Sequence, residues 1–227
     1  MNTMLTIFFA LNLMVHDNYC AKYQSGTNEA LKVYKECKAE LKALLGNVSD
    51  EEVKLAFAIV APEASQYNRM TDYFEVRAVR SGYPVNGTPN YSIGIFQMKP
   101  SFAEDLEKEV AGNARLKKKY GKHLAYKAKD ATAKRRERVE RLASREWQLV
   151  YVAVFYDVVK MRTASWKLRG NEEKLRYWAT LYNAGFYLSK PRAKQRQGVK
   201  QFPRGTNEFN YSAAAVDIYQ NKLKGSK

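Results

Sequence analysis

Residues 53–65 read VKLAFAIVAPEAS, and from Leu55 to Pro62 no polar side chain interrupts the run. A helix that is apolar on every side belongs inside a protein or a bilayer, and this one is far too short to span a membrane. The rest of the chain must therefore wrap around it. Ser49 precedes Glu52 by three positions, the spacing of a capping box, so the helix starts there. Pro62 weakens it at the far end, and Glu63 follows at once. A carboxyl group thus leaves the core where the helix gives out.

Such a carboxyl is partly desolvated, which penalises its charged form and raises its pKa. A glutamic acid kept protonated near neutral pH can donate its proton, help worth about 10² to 10⁴ in rate, and protonating a glycosidic leaving oxygen requires it. The other reading of the same position is a helix-terminal glutamate paired with a nearby arginine such as Arg69.

The remaining elements predict one mainly α-helical domain. Residues 28–45 place Leu31, Tyr34, Cys37, Leu41, Leu44 and Leu45 on one face, and Gly46 stops the run. Further apolar helices are expected over Trp147–Val159, Leu175–Asn183 and Tyr211–Leu223. Strand signals are few. SGYPVNGTPNYS, residues 81–92, reads as a loop or at most a small β-hairpin.

The first sixteen residues carry no charge and an apolar centre, Met4 to Val15, too short to span a bilayer comfortably. They predict a secretion signal over about 1–20, hence export, the alternative being the start of a buried helix. Cys20 and Cys37 form no CxxC, and His16 and His123 stand alone, so no metal site is expected. In an exported chain the two cysteines could pair, unless cleavage after Cys20 removes that option.

The net charge of +16 lies in two stretches: 115–145 has 13 Lys/Arg against three acids, and 185–205 has six basic residues and no acid. Such stretches attract polyanions, whether nucleic acid, an anionic membrane face or an acidic wall polymer. No groove-reading or base-stacking signature favours nucleic acid. The simplest expectation for about 113–146 is a solvated basic helical insertion.

Four segments follow one another in order: PEAS at 62–65, SIGIFQMKP at 92–100, TLYNAGF at 180–186 and EFNYSAAAVDIY at 208–219. Together they resemble the lytic transglycosylase and goose-type lysozyme superfamily. That family shows Glu-Ser at a helix end, Gly-Leu-Met-Gln with a proline shortly after, Ala-Tyr-Asn-Ala-Gly, and Glu-Thr-x-x-Tyr-Val. The resemblance covers about 50–220 and implies a lysozyme-like α-helical domain at 49–224, preceded by an N-terminal helix at 21–48. It implies cleavage of the MurNAc-GlcNAc β-1,4 bond of peptidoglycan strands in the bacterial envelope, with no metal or organic cofactor. Glu63 matches the catalytic acid that then acts as base. Gln97 would line the sugar groove, and Gly94 would leave room for a backbone near the glycan. Tyr182 and Asn183 match the pair that sits beside the acid and hydrogen-bonds sugar. Tyr211 matches the tyrosine that approaches the carboxyl, with Glu208 three residues before it.

The chain departs from the family pattern at Ala64 in place of serine, Phe96 in place of methionine and Leu181 in place of alanine. The interval from Glu63 to Gln97 is also long and contains Asp72 and Glu75. Either would point, as a second carboxylate, to a hydrolytic muramidase. A silent basic wall- or nucleic-acid-binding protein, with a structural Glu63, is the alternative outside enzymes.

Overall fold

Two helices with apolar side chains on every face occupy the centre, and the others are arranged by what they cover. The computed structural model of the chain describes residues 18–226; the expected leader lies outside them up to position 17. The helices are α1 (Tyr19–Lys22), α2 (Gln24–Leu45), α3 (Asp50–Gln66), α4 (Arg69–Asn86), α5 (Pro100–Gly112) and α6 (Ala114–Leu124). Then follow α7 (Ala131–Leu142), α8 (Arg145–Arg162), a 3-10 turn at Ala164–Trp166, α9 (Gly170–Ala184), α10 (Lys190–Gln197), α11 (Tyr211–Ile218) and a π turn at Tyr219–Leu223. The fold is mainly α. Among the described residues β pairing is limited to two isolated bridges, Ile93 with Met98 and Phe202 with Phe209.

Helix α3 is buried continuously from Leu55 to Pro62 and touches α2, α8, α9 and α11. Its capping box forms: Ser49 Oγ accepts from the Glu52 N–H, and the Glu52 carboxylate accepts from the Ser49 N–H. Helix α8 is buried without interruption from Gln148 to Tyr156 and is capped by Ser144. Asn113, Asp130 and Asn210 cap α6, α7 and α11 in the same way. No described helix is long and apolar enough to cross a membrane.

Two expectations are corrected, and the cysteine pairing left open by the sequence is decided. Ser81–Asn86 is not a loop but the last part of α4, which carries Pro84 and stops at Gly87 in the left-handed conformation. Burial of Val76, Val79 and Tyr83 on one face holds that helix against its turn-forming sequence. The basic segment is two helices, α6 and α7, and it is not simply solvated. Arg138 and Arg141 are buried, and Arg138 binds Glu104 and Glu107 of α5. Arg141 lies between the rings of Tyr126 and Trp147, 4.1 and 4.2 Å from their centroids. The acids that neutralise Arg138 lie outside the basic stretch, so counting charge within it could not reveal them. Finally, Cys20 and Cys37 are separate buried thiols.

Candidate active site

Pro62 has no N–H, so the hydrogen-bond ladder of α3 opens one residue before Glu63. Tyr211 of α11 enters there. Its hydroxyl donates to the Ile59 carbonyl at 3.0 Å. Gly26 of α2 packs against the end of α3 so closely that a Cβ would lie 2.0 Å from the Ser65 carbonyl oxygen. Ser65 Oγ also meets the hydroxyl of the fully buried Tyr19 at 2.7 Å.

The Glu63 side chain is only partly exposed, and burial alone pushes its carboxyl up to about 8. No charge or hydrogen bond of the described residues counteracts that shift, and Arg69 makes no ion pair with it. The protein therefore holds Glu63 as a neutral acid at pH 7.

Three buried tyrosines lie within range of its charge. The charge of an ionised Glu63 would reach Tyr19, Tyr182 and Tyr211, and burial holds the phenols of Tyr182 and Tyr211 well above their ordinary range, as neutral groups. The Tyr182 and Tyr211 rings stack at 6.2 Å with 29° between their planes. The Tyr182 hydroxyl donates to the Phe96 carbonyl at 2.5 Å, which ties α9 to the turn containing Gln97.

That turn is closed by the Ile93–Met98 bridge, with Gly94 at φ 73° and Gln97 at φ 50°. A left-handed non-glycine residue is unfavourable unless its surroundings hold it. Gln97 is held partly by its own amide, whose Nε2 donates to the Gly94 carbonyl at 2.9 Å. Gly94 is required by the protein interior as well as by its φ: a Cβ would lie 2.0 Å from Gln148 Nε2. Gln148 fills the Cβ direction at Gly94, which also lines the groove described below.

Gln148 is fully buried; its Nε2 donates to the carbonyls of Ile93 at 2.7 Å and Leu142 at 2.9 Å, and its Oε1 accepts from the Phe96 N–H at 2.9 Å. Replacing it with leucine strands these backbone groups. The expected loss is about 3 kcal/mol, a fall in Tm of roughly 10 °C. Thermal unfolding followed by circular dichroism measures it.

Asp72, in the first turn of α4, is bound to the turn at Gly94: its two carboxylate oxygens accept from the Gly94 N–H at 2.6 Å and the Tyr67 hydroxyl at 3.0 Å. Burial, and then the charge of Asp72, raises the Glu75 carboxyl above its ordinary range. Asn183 ends α9 exposed and lines a recess of about 20 Å³ with Tyr211 and Arg196. Glu208 is committed elsewhere, ion-paired with Lys22 on the exposed surface.

A groove of about 610 Å³ opens at Ala64, the residue after Glu63, and runs past Gly94, Ile95, Tyr67 and Asp72. Glu63 itself is not among its lining residues. Sequence reasoning missed Tyr19, Gly26, Gln148 and Arg196. Of these, Arg196 alone stood inside a segment already marked as unusual. Comparison with family models, with curated proteins and with solved structures found no match.

Proposed function

We propose that this chain is an exported enzyme that cleaves peptidoglycan glycan strands by the lytic route, with Glu63 as its one acid and base. The observation that carries the reading is a carboxyl without a partner among the described residues, raised to about 8, within electrostatic range of buried Tyr182 and Tyr211 and one residue from an open groove. Neutral Glu63 gives its proton to the bridging glycosidic oxygen, and the bond to the muramic C1 breaks. The substrate's acetamido group supports the positive charge that develops on C1. The sugar's own 6-hydroxyl then closes on C1 and returns its proton to Glu63, leaving an anhydro-muramic end. Asn183, exposed and lining a small recess with Tyr211, is proposed to hydrogen-bond sugar. Engagement of both Asp72 oxygens within the fold favours this single-carboxylate route over one in which Asp72 activates water.

Mass spectrometry of the soluble products released from sacculi tests the proposal. Anhydro-muropeptides support it. Reducing ends would instead indicate a hydrolase and direct attention to Asp72 and Glu75. No product from several wall types would leave a wall-binding protein.

The acid must begin protonated, so the pH dependence has a definite sign. With the carboxyl raised to about 8, turnover is expected to hold through neutral pH and to fall about tenfold per unit above it. Initial rates from pH 6 to 10 measure this.

The exposed basic residues of α6, α7 and α10 are proposed to hold the protein on the anionic wall or membrane surface. Attraction between exposed charges is screened within about 8 Å at physiological ionic strength. Pelleting with sacculi should accordingly weaken between low and moderate salt.

A further inference from the structure

A second hollow, of about 490 Å³, adjoins the groove at Ala64 and shares Tyr67, Arg69, Asp72 and Ala143 with it. The two form one trough from Ala64 along the first turns of α4 to Arg80. Its cations are not equivalent. Arg80 is bound by Glu140 and Arg145 by Glu36. Lys32 and the acid Glu29 also line the trough, exposed and without an ion pair among the described residues; Arg69 and Arg77 are likewise exposed and make none, although both line it. Asp72, the acid between them, is occupied by Gly94 and Tyr67.

The trough also has an apolar rim. Met70, Tyr73 and Phe74 are 68%, 59% and 62% exposed, and Tyr73 lines the hollow itself. Large apolar side chains clustered in water beside free guanidinium groups suit a ligand that carries both anionic and apolar parts.

Building on the lytic reading, we infer that this trough takes the peptide branches of an uncut wall strand. Arg69 and Arg77 hold branch carboxylates, while Tyr67 and Tyr73 pack against branch and sugar. The site would select strands that still bear peptides over bare glycan. Free arginines match carboxylate geometry through paired N–H groups, whereas neutral sugar gives them no charged partner. The trough starts at Ala64, the residue after Glu63, so in this proposal a strand seated at the acid has its branches within reach.

The test uses the full chain carrying Glu63→Gln, which binds strands without cutting them, and soluble glycan strands either peptide-bearing or stripped of peptide by an amidase. Isothermal titration calorimetry should show the peptide-bearing strands binding roughly tenfold tighter. Adding Arg69→Ala and Arg77→Ala should remove that difference and leave affinity for stripped strands unchanged. Equal binding of the two strands, binding of neither, or a difference that survives loss of both arginines would overturn the inference. The lytic reading is judged separately, on wild-type release from sacculi. No release, with the binding difference intact, would remove the lysis and leave a peptide-recognising wall site.

Discussion

Glu63→Gln is expected to lower the release of anhydro-muropeptides by about 10² to 10⁴, and to do so mainly in kcat. Glutamine keeps the size and polarity of the side chain and has no acidic proton to give. Since no side chain of the fold depends on the Glu63 carboxyl, the variant should fold as the wild type does and bind strands. Timed digestion of sacculi with quantified products decides the matter, and an unchanged rate would remove Glu63 from the chemistry.

The same substitution makes a prediction about stability with the opposite sign. A carboxyl held up to about 8 in the fold and near its ordinary value in the unfolded chain contributes no penalty below about pH 4, where both states are protonated. Between there and about pH 8 the unfolded chain loses its proton first, so the wild type is progressively destabilised. Glu63→Gln should therefore match the wild type near pH 4 and exceed it near pH 8, by on the order of a few kcal/mol before allowance for solvent. Denaturant titrations at the two pH values measure the difference.

Arg138→Ala is expected to produce the largest loss of stability, about 3 to 5 kcal/mol. Arg138 reaches Glu107 at 2.7 Å and Glu104 at 3.2 Å, and the Glu107 side chain is only 11% exposed. Glu107 also accepts from the hydroxyls of Tyr151 and Tyr126. Removing the guanidinium leaves a carboxylate in the interior without its counter-charge. The fall in Tm should be roughly 10 °C or more. A double variant, Arg138→Met with Glu107→Leu, should recover much of that loss, because it removes both charges together. If the double variant is no better than the single one, the stranded charge is not the cause.

How much of this could be read in advance differs from element to element. The course of α3 was legible, because a run apolar on every side has one destination and the Ser49–Glu52 spacing marks its start. The continuation of α4 through Pro84 was not. Gly, Pro and Asn suggested a turn, and the burial of Val79 and Tyr83 that overrides them is a property of the packed fold. Glu63 was legible as a carboxyl emerging from the core. Its place beside Tyr182 and Tyr211 joins residues more than a hundred positions away, and local periodicity carries no information about such contacts. Gly94 was read as leaving room for a glycan; the contact with Gln148 in its Cβ direction is a long-range one that the local sequence does not announce.

The sequence by itself determined that the chain is mainly helical, that α3 lies inside, and that one carboxyl leaves the core at its end. Those follow from hydrophobic period, capping spacing and the missing N–H of proline, all local along the chain. Only the tertiary structure decided that Glu63 has no partner among the described residues, that Asp72 is engaged by the turn at Gly94, that Glu208 is tied to Lys22, and that two arginines of the basic segment are buried. Burial and pairing are set by groups brought together from distant positions, and those groups alone decide whether a charge is free, neutralised or held as an acid.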